Sequence, residues 1–275
     1  MGGESIKVER HGPILRIRMN RPDKLNAQNP TLIEEMDAAF TEGAANADVR
    51  VIVLSGEGRA FSAGHDLEYP GYDRRGYTYH TRIEMERRLF LEKLFRIRNL
   101  PTPTIAQVQG HCVAAGLMLA CMCDLIVCDE TARFANPVVA MGMPGVQLLI
   151  EPWEIGARKA KELLFTAEAI DAAEAHRLGL VNRVVPAAQL EAEVNALATR
   201  IAALPPFAIR AVKKSINDTL DFMGQSRAWE HHFLLHVAGK RSEEFDEWWS
   251  AVEREGGGFK PGGLKQTLRR RAETQ

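Results

Sequence analysis

Ile105-Ala106-Gln107-Val108-Gln109-Gly110-His111-Cys112-Val113-Ala114-Ala115-Gly116-Leu117-Met118-Leu119-Ala120-Cys121-Met122-Cys123-Asp124-Leu125 is the stretch whose reading decides the fold. Its start, Thr104–Val108, is short, β-branched and mostly apolar, as a strand covered on both faces should be. Gly110 then leads into the small-residue run Val113-Ala114-Ala115-Gly116 and an apolar helix up to about Cys123. Residues 125–128 read as another buried strand. A helix without a polar face, set between two buried strands, belongs inside a layered α/β core.

Working outward, a similar order stands earlier in the chain. Val51-Ile52-Val53-Leu54 is an apolar run closed by Ser55-Gly56, and the small-residue loop Phe61-Ser62-Ala63-Gly64-His65-Asp66-Leu67 follows it. Strand, small-residue loop and helix thus occur twice, which suggests repeated ββα-type units rather than strict βαβ alternation. Residues 6–19 predict a hairpin turning at Gly12-Pro13. Residues 30–45 predict a helix, with capping-box spacing at Thr31 and Glu34 and a stripe of Leu32, Ile33, Met36 and Phe40. Ile83, Phe90, Leu94 and Ile97 predict a further helix that Pro101 and Pro103 end. The intervening residues 68–80 hold all four tyrosines, Tyr69, Tyr72, Tyr77 and Tyr79, and read as a surface loop able to touch a ligand.

From residue 156 onward the pattern is almost entirely helical. Residues 171–178 end at Gly179, which suits a left-handed cap. Further helices are expected over 187–203, 206–220, 226–238 and 242–254. The expected organisation is an α/β core over 1–200 and a helical region over 201–275.

The 275 residues carry 35 Lys+Arg against 36 Asp+Glu, a formal net charge of -1. That balance lacks the basic excess of an electrostatically driven nucleic-acid binder. No stretch approaches the roughly 18 consecutive apolar residues of a membrane span. The N-terminal MGGESIKVER has no apolar h-region, so no secretory signal is expected. Cys112, Cys121, Cys123 and Cys128 match no zinc spacing and read as buried thiols of a cytoplasmic protein. His232 and His236, at i and i+4, lack the surroundings of a metal site and read as ordinary helix histidines. Trp229, Trp248 and Trp249 read as core or subunit-contact anchors.

Small side chains let a ligand approach the backbone, and a helix start leaves N–H groups without intrahelical partners. Two such groups converging on one point form an oxyanion hole. The 114–116 run offers one donor and the Ala63-Gly64 loop the other. Tight helix–sheet packing would use the same small residues.

The 105–125 stretch closely resembles the signature of the enoyl-CoA hydratase/isomerase (crotonase) superfamily, with Cys121 its one departure. Asn20-Arg21-Pro22 and Leu25-Asn26-Ala27 look like the family's N-terminal motif, and residues 61–67 like its first oxyanion loop. Residues 134–145, 172–185 and 243–254 follow the family's order. The resemblance implies an α/β spiral of ββα turns with a C-terminal helical trimerisation region, assembled as a homotrimer or a dimer of trimers. It implies an acyl-CoA thioester ligand, with coenzyme A arriving as part of the substrate and no permanently bound cofactor. The thioester oxygen would sit between the backbone N–H groups of Ala63 and Ala115. Lys24, Leu25, Ala27 and the loop residues Gly64, His65, Asp66 and Leu67 lie where relatives contact the CoA adenine and pantetheine. Arg254 or Lys260 would reach a CoA phosphate, and the Arg269-Arg270-Arg271 run reads as a solvated cluster.

Hydratases that this chain resembles use two glutamates as acid and base. Here those positions are Met118 and Val138, which line the acyl site and transfer no proton. His65, titrating near neutrality in its unperturbed state, and Gln147, just after Pro144-Gly145, are candidate replacements. Glu151 is the next carboxylate, with a solvated loop charge as its alternative reading. Asp66 reads more readily as a brace of its loop. A different reaction of the superfamily (isomerisation, thioester hydrolysis, decarboxylation or C–C cleavage) or a silent acyl-CoA-binding subunit fits the missing glutamates better than standard hydration.

Overall fold

The computed structural model describes residues 3–69 and 78–254. The chain opens with the hairpin β1 (Ile6–His11) and β2 (Ile14–Met19), paired antiparallel from Ile6↔Met19 to His11↔Ile14. Helix α1 (Pro30–Ala45) follows. Its cap differs from the expected Thr31/Glu34 box. Asn29 is the N-cap, its side chain accepting from Leu32 N at 2.9 Å, with Pro30 at the first helical position. Proline fits there because that N–H has no intrahelical partner. Glu34 instead accepts from Lys93 Nζ at 2.6 Å.

Next come β3 (Val51–Gly56), β4 (Ala60–Ser62), α2 (Tyr79–Glu86), a π-helical turn at Arg87–Leu91, and α3 (Glu92–Asn99). The deciding stretch forms β5 (Thr104–Val108), β6 (His111–Val113) and α4 (Ala115–Cys121), so its helix ends two residues before Cys123. Then follow β7 (Leu125–Asp129), β8 (Arg133–Ala135), α5 (Glu151–Glu154), α6 (Gly156–Thr166), β9 (Ile170–Asp171), α7 (Ala172–Leu178) and β10 (Arg183–Val185). The last two strands are the exceptions to the almost entirely helical reading beyond residue 156; strands of two and three residues are too short to show a periodicity. Helices α8 (Leu190–Ala202), α9 (Pro206–Phe222), α10 (Gln225–Gly239) and α11 (Glu243–Arg254) complete the described chain. Residue 200 falls inside α8.

From β3 to β8, successive strands alternate between two sheets. One runs β1-β2-β3-β5-β7-β10, parallel from β2 onward, and the other β4-β6-β8-β9. The ββα reading therefore holds, each unit giving one strand to each sheet. Strand β3 is buried along its whole length. Its Val51 and Val53 pack with Ile105 and Val127 against Val194 and Leu197 of α8. Ile52 and Leu54 face the main core with Phe40 and Leu117. This two-sided coverage is why the run has no polar alternation. Trp229 and Phe233 of α10 join the same main core, which ties that C-terminal helix to the sheets.

Candidate functional site

The two small-residue loops meet. Gly116, near the start of α4, lies so close to β4 that a methyl group there would sit 2.5 Å from Ser62 O. A methyl on Gly64 (φ +97°) would lie 3.0 Å from Val113 O and 3.4 Å from Ala115 N. Gln28 pins this junction, its Nε2 donating to Ala115 O at 3.1 Å and reaching Ser62 Oγ at 3.3 Å. Ala114, immediately before α4, has φ 51° and ψ -113°. That conformation is costly for a residue with a Cβ and persists only where surrounding contacts enforce it. Its N–H is anchored to Ala135 O at 2.8 Å. The next residue, Ala115, begins the helix, and its N–H has no backbone partner among the described residues.

Ala63 requires a correction. Its N–H donates to Leu25 O at 2.9 Å and so serves the loop's own structure. In the same loop Gln28 N donates to Gly64 O at 2.7 Å, and Asp66 N to Gln28 O at 3.0 Å. This parallel bridge between Gln28 and His65 turns residues 64 and 66 toward Gln28. Backbone groups alternate along an extended chain, so the His65 N–H is directed away from Gln28.

Asp66 is the expected brace. Its Oδ2 meets Arg21 Nη2 at 2.8 Å and its Oδ1 accepts from Glu68 N at 3.2 Å. Arg21 also donates to Ala27 O. Leu25, in the left-handed region at φ 50°, caps the turn that carries Lys24. Lys24 is exposed and pairs with Glu68 at 2.6 Å; Leu67 packs against the main core. Arg254 is exposed at the end of α11, with its Nε on Ser250 O at 3.3 Å. Lys260, Tyr72, Tyr77 and the arginine run at 269–271 lie outside the described residues.

Met118 and Val138 are both buried. Met118 Sδ accepts from Leu148 N at 3.3 Å. An apolar pocket between Ile33, Leu89, Phe90, Leu94 and Met118 adjoins Gln28. Neither residue places an ionisable group at the site.

A buried polar cluster stands beside the loop. His65 Nε2 is 2.8 Å from Gln147 Oε1, and its ring packs on Phe90 at 4.2 Å between centroids. Gln147 Nε2 donates to Glu86 Oε2 at 3.2 Å. Glu86 also meets His236 Nε2 at 2.9 Å and Lys240 Nζ. Burial pushes the Glu86 carboxyl up, but Lys240 and His236 outweigh it and hold it well below the usual carboxylate range. Burial pushes the His65 imidazole down to about 4. His236 Nδ1 faces Gly145 O at 2.8 Å and His232 Nε2 faces Val146 O at 2.9 Å. These two histidines hold the 145–147 turn, and no group of three or more metal-ligating side chains occurs among the described residues.

Glu151 is buried, not a solvated loop charge. Its Oε1 accepts from Asn136 Nδ2 at 2.6 Å, two residues before Val138, and burial raises its pKa. The structure thus joins His65 to Gln147 and sets Glu151 in a separate pair. Glu86, Lys240 and Asn136 escaped the sequence reading. Glu86 did carry a signal: it lies on the Ile83, Phe90, Leu94 stripe, and a charge on an apolar helix face requires a buried partner. The four thiols are free, and burial pushes Cys123 and Cys128 up to about 12.

With this geometry in place, comparison supplies the class. The family described as enoyl-CoA hydratase/isomerase matches residues 9–259. The chain belongs to that family. Among solved structures, a probable enoyl-CoA hydratase from Mycobacterium thermoresistibile is 44% identical, with a TM-score of 0.83 over 90% of this chain and 100% of that one. An enoyl-CoA hydratase/isomerase from Xanthobacter autotrophicus Py2 superposes with a TM-score of 0.88 at 29% identity, over 99% of this chain and 98% of that one. A curated relative, EchA13 of Mycobacterium tuberculosis, is 42% identical over 243 residues, 82% of this chain and 76% of that protein.

Proposed function

We propose that this protein transforms an acyl-CoA by stabilising a thioester enolate, through a reaction other than hydration by paired glutamates. One observation carries the reading: the Gly64 loop meets the start of α4, and Met118 and Val138, which we assign to the positions of the hydratase glutamates, are buried and carry no ionisable group. The Ala115 N–H is one donor to the thioester oxygen. The His65 N–H, directed away from Gln28, takes the second place first expected of Ala63. Each such donor contributes about 3–4 kcal/mol to the developing oxyanion. The strained Ala114 backbone supports this, since such strain gathers where a backbone group must be aimed.

Ile33, Leu89, Phe90 and Leu94 beside Met118 supply apolar contacts of the kind an acyl group takes. Lys24, Leu25, Ala27 and Leu67, on and beside the Arg21–Asp66 brace, suit the CoA arm, which arrives with the substrate and is not a resident cofactor. Isomerisation, thioester hydrolysis, decarboxylation and C–C cleavage all pass through charge on the thioester oxygen. The absence of a hydratase pair excludes none of them.

Self-association as a trimer or a dimer of trimers accompanies this reading. Lys213 is the one buried residue of α9, bonded to Asp124 at 2.8 Å. Phe207, Ile216 and Phe222 of the same helix are exposed, at 84%, 56% and 88%. Large apolar side chains left exposed on one helix suit contact with another chain. No helix of the described residues is long and apolar enough to cross a membrane, and a cytoplasmic setting agrees with the free thiols.

The test uses two thioesters. Crotonyl-CoA should be hydrated at least about 10²-fold more slowly than by a two-glutamate hydratase. Butyryl-CoA in D2O should exchange its α-proton, and Ala115→Trp should abolish that exchange. Hydration at a full hydratase rate, or exchange untouched by Ala115→Trp, overturns the proposal. Tight binding without exchange or turnover establishes a silent binder instead.

A further inference from the structure

The polar cluster beside the oxyanion loop contains more hydrogen-bond information than proximity alone. Glu86 lies at the end of α2 and Gln147 in the turn after Gly145, and both are completely buried. Lys240 Nζ contacts the carboxylate at Oε1 and His236 Nε2 at Oε2, and Arg82 Nη1 stands 3.9 Å from Oε1. An ionised carboxylate only accepts hydrogen bonds. The Gln147 group 3.2 Å from Oε2 must therefore be the amide nitrogen. That orientation is imposed by chemistry and does not depend on distinguishing the oxygen from the nitrogen of the amide.

The consequence passes along the side chain. With its nitrogen turned to Glu86, Gln147 presents its oxygen to His65 Nε2 at 2.8 Å. An amide oxygen also only accepts, so the proton of a neutral His65 must reside on Nε2, and Nδ1 becomes the lone-pair nitrogen. The Phe90 ring against the imidazole holds its plane. The other side of the cluster is equally constrained. His236 Nδ1 donates to Gly145 O at 2.8 Å, and His232 Nε2 lies 2.9 Å from Val146 O, so the turn carrying Gln147 is fixed from α10.

We propose that Glu86, acting through Gln147, fixes His65 as its Nε2–H tautomer and so presents Nδ1 as the acceptor nitrogen of the oxyanion loop. Glu86 and Gln147 are positioning residues in this arrangement. The inference rests on the reading of residues 63–66 as the thioester-binding loop only for its functional meaning; the tautomer itself is a property of the ligand-free protein. The arrangement supplies a polar acceptor on the loop whose His65 N–H is assigned to the thioester oxygen, in a chain with Met118 and Val138 at the assigned glutamate positions. It therefore favours a substrate that offers a donor, such as a hydroxyl group or a bound water, on the His65 side.

The test is NMR of the ¹⁵N-histidine-labelled full chain without ligand, with the His65 signals assigned by their loss in His65→Asn. Two-bond ¹H–¹⁵N correlations at pH 7 should show the Nε2–H tautomer in the unaltered protein. Gln147→Leu, close in volume and uncharged, should relax His65 to a mixture of tautomers. Glu86→Gln, which replaces the acceptor-only carboxylate by an amide that can donate, should likewise weaken the Nε2–H preference, and an unchanged His65 tautomer in that variant overturns the role of Glu86. An Nδ1–H form or an imidazolium in the unaltered protein overturns the proposal, as does a His65 spectrum unmoved by Gln147→Leu. With butyryl-CoA in D2O, Gln147→Leu should lower the exchange rate at saturating thioester about tenfold or more, a modest share of a typical acid–base effect, with little change in KM. An Nε2–H His65 in a protein that exchanges no α-proton supports the tautomer assignment and overturns the functional reading above.

Discussion

The junction of the two small-residue loops and the cluster around Glu86 border the same site but are built on opposite principles. The junction is made of backbone, with Gly64, Ala115 and Gly116 contributing mainly what they lack, so that Ser62 O and the start of α4 can touch. The cluster is made of long charged and polar side chains drawn from α2, the 145–147 turn and α10, with 150 residues between Glu86 and His236. A backbone site tolerates little added volume and carries no net charge. A buried ionic site tolerates little loss of charge, because each remaining partner keeps its desolvation cost.

The sharpest way to break that comparison is Glu86→Leu. Removing the carboxylate that Lys240, His236 and Gln147 share should destabilise the protein by about 3–5 kcal/mol. A shift of the urea midpoint at unchanged slope would measure it. A cost below about 1 kcal/mol would mean that the cations escape to water, contradicting a buried cluster. Next in size, Gly116→Val should push Ser62 away from α4 and cost about 2–3 kcal/mol through overpacking. Its larger signature should be functional, on the order of a 10²-fold loss of α-proton exchange as the donors separate. Equal functional losses in both variants at matched stability would erase the distinction between the regions.

The smallest effect links the two. The folded His65 titrates at about 4, below its ordinary 6.5, so the folded state binds fewer protons than the unfolded state between those values. Stability from this group is present above pH 6.5 and is lost as pH falls through 4. His232, also pushed by burial to about 4, acts in the same direction. Glu154 acts oppositely: burial raises it to about 7, so its contribution is lost as pH rises from 4.5 through 7. The wild-type profile mixes these slopes, and the difference from His65→Asn isolates one. The variant should retain about 2 kcal/mol more of its stability on going from pH 6.5 to pH 4. Denaturant titrations at several pH values would show it. Parallel profiles would mean that the imidazole stays exposed enough to titrate normally.

Local pattern was legible wherever a structural need repeats at short range. The two-sided burial of β3 and β5 appeared as apolar runs, the Gly179 cap as a glycine after a helical stripe, and the two close approaches as small residues after strands. The Asn29 cap was misread because two local signals competed, and Pro30 favoured the earlier one. Ala63 was misassigned for a subtler reason. Composition shows that a loop is small, but the direction of each N–H depends on which neighbour the strand bridges, and here Leu25 takes one and Gln28 fixes the alternation.

By itself, then, the sequence determined the family, the alternation of strands and helices, the loops that form the junction, and two residues, Met118 and Val138, that carry no ionisable group. Those properties reside in residue identity and short spacing. The tertiary structure alone decided that Glu86 and Gln147 reach His65, that Glu151 is buried against Asn136, and that Ala63 is occupied. Each depends on bringing together groups that are tens of residues or more apart in the chain. A buried charge is decipherable only when its partner is in view, because its partner fixes both its ionisation and its geometry.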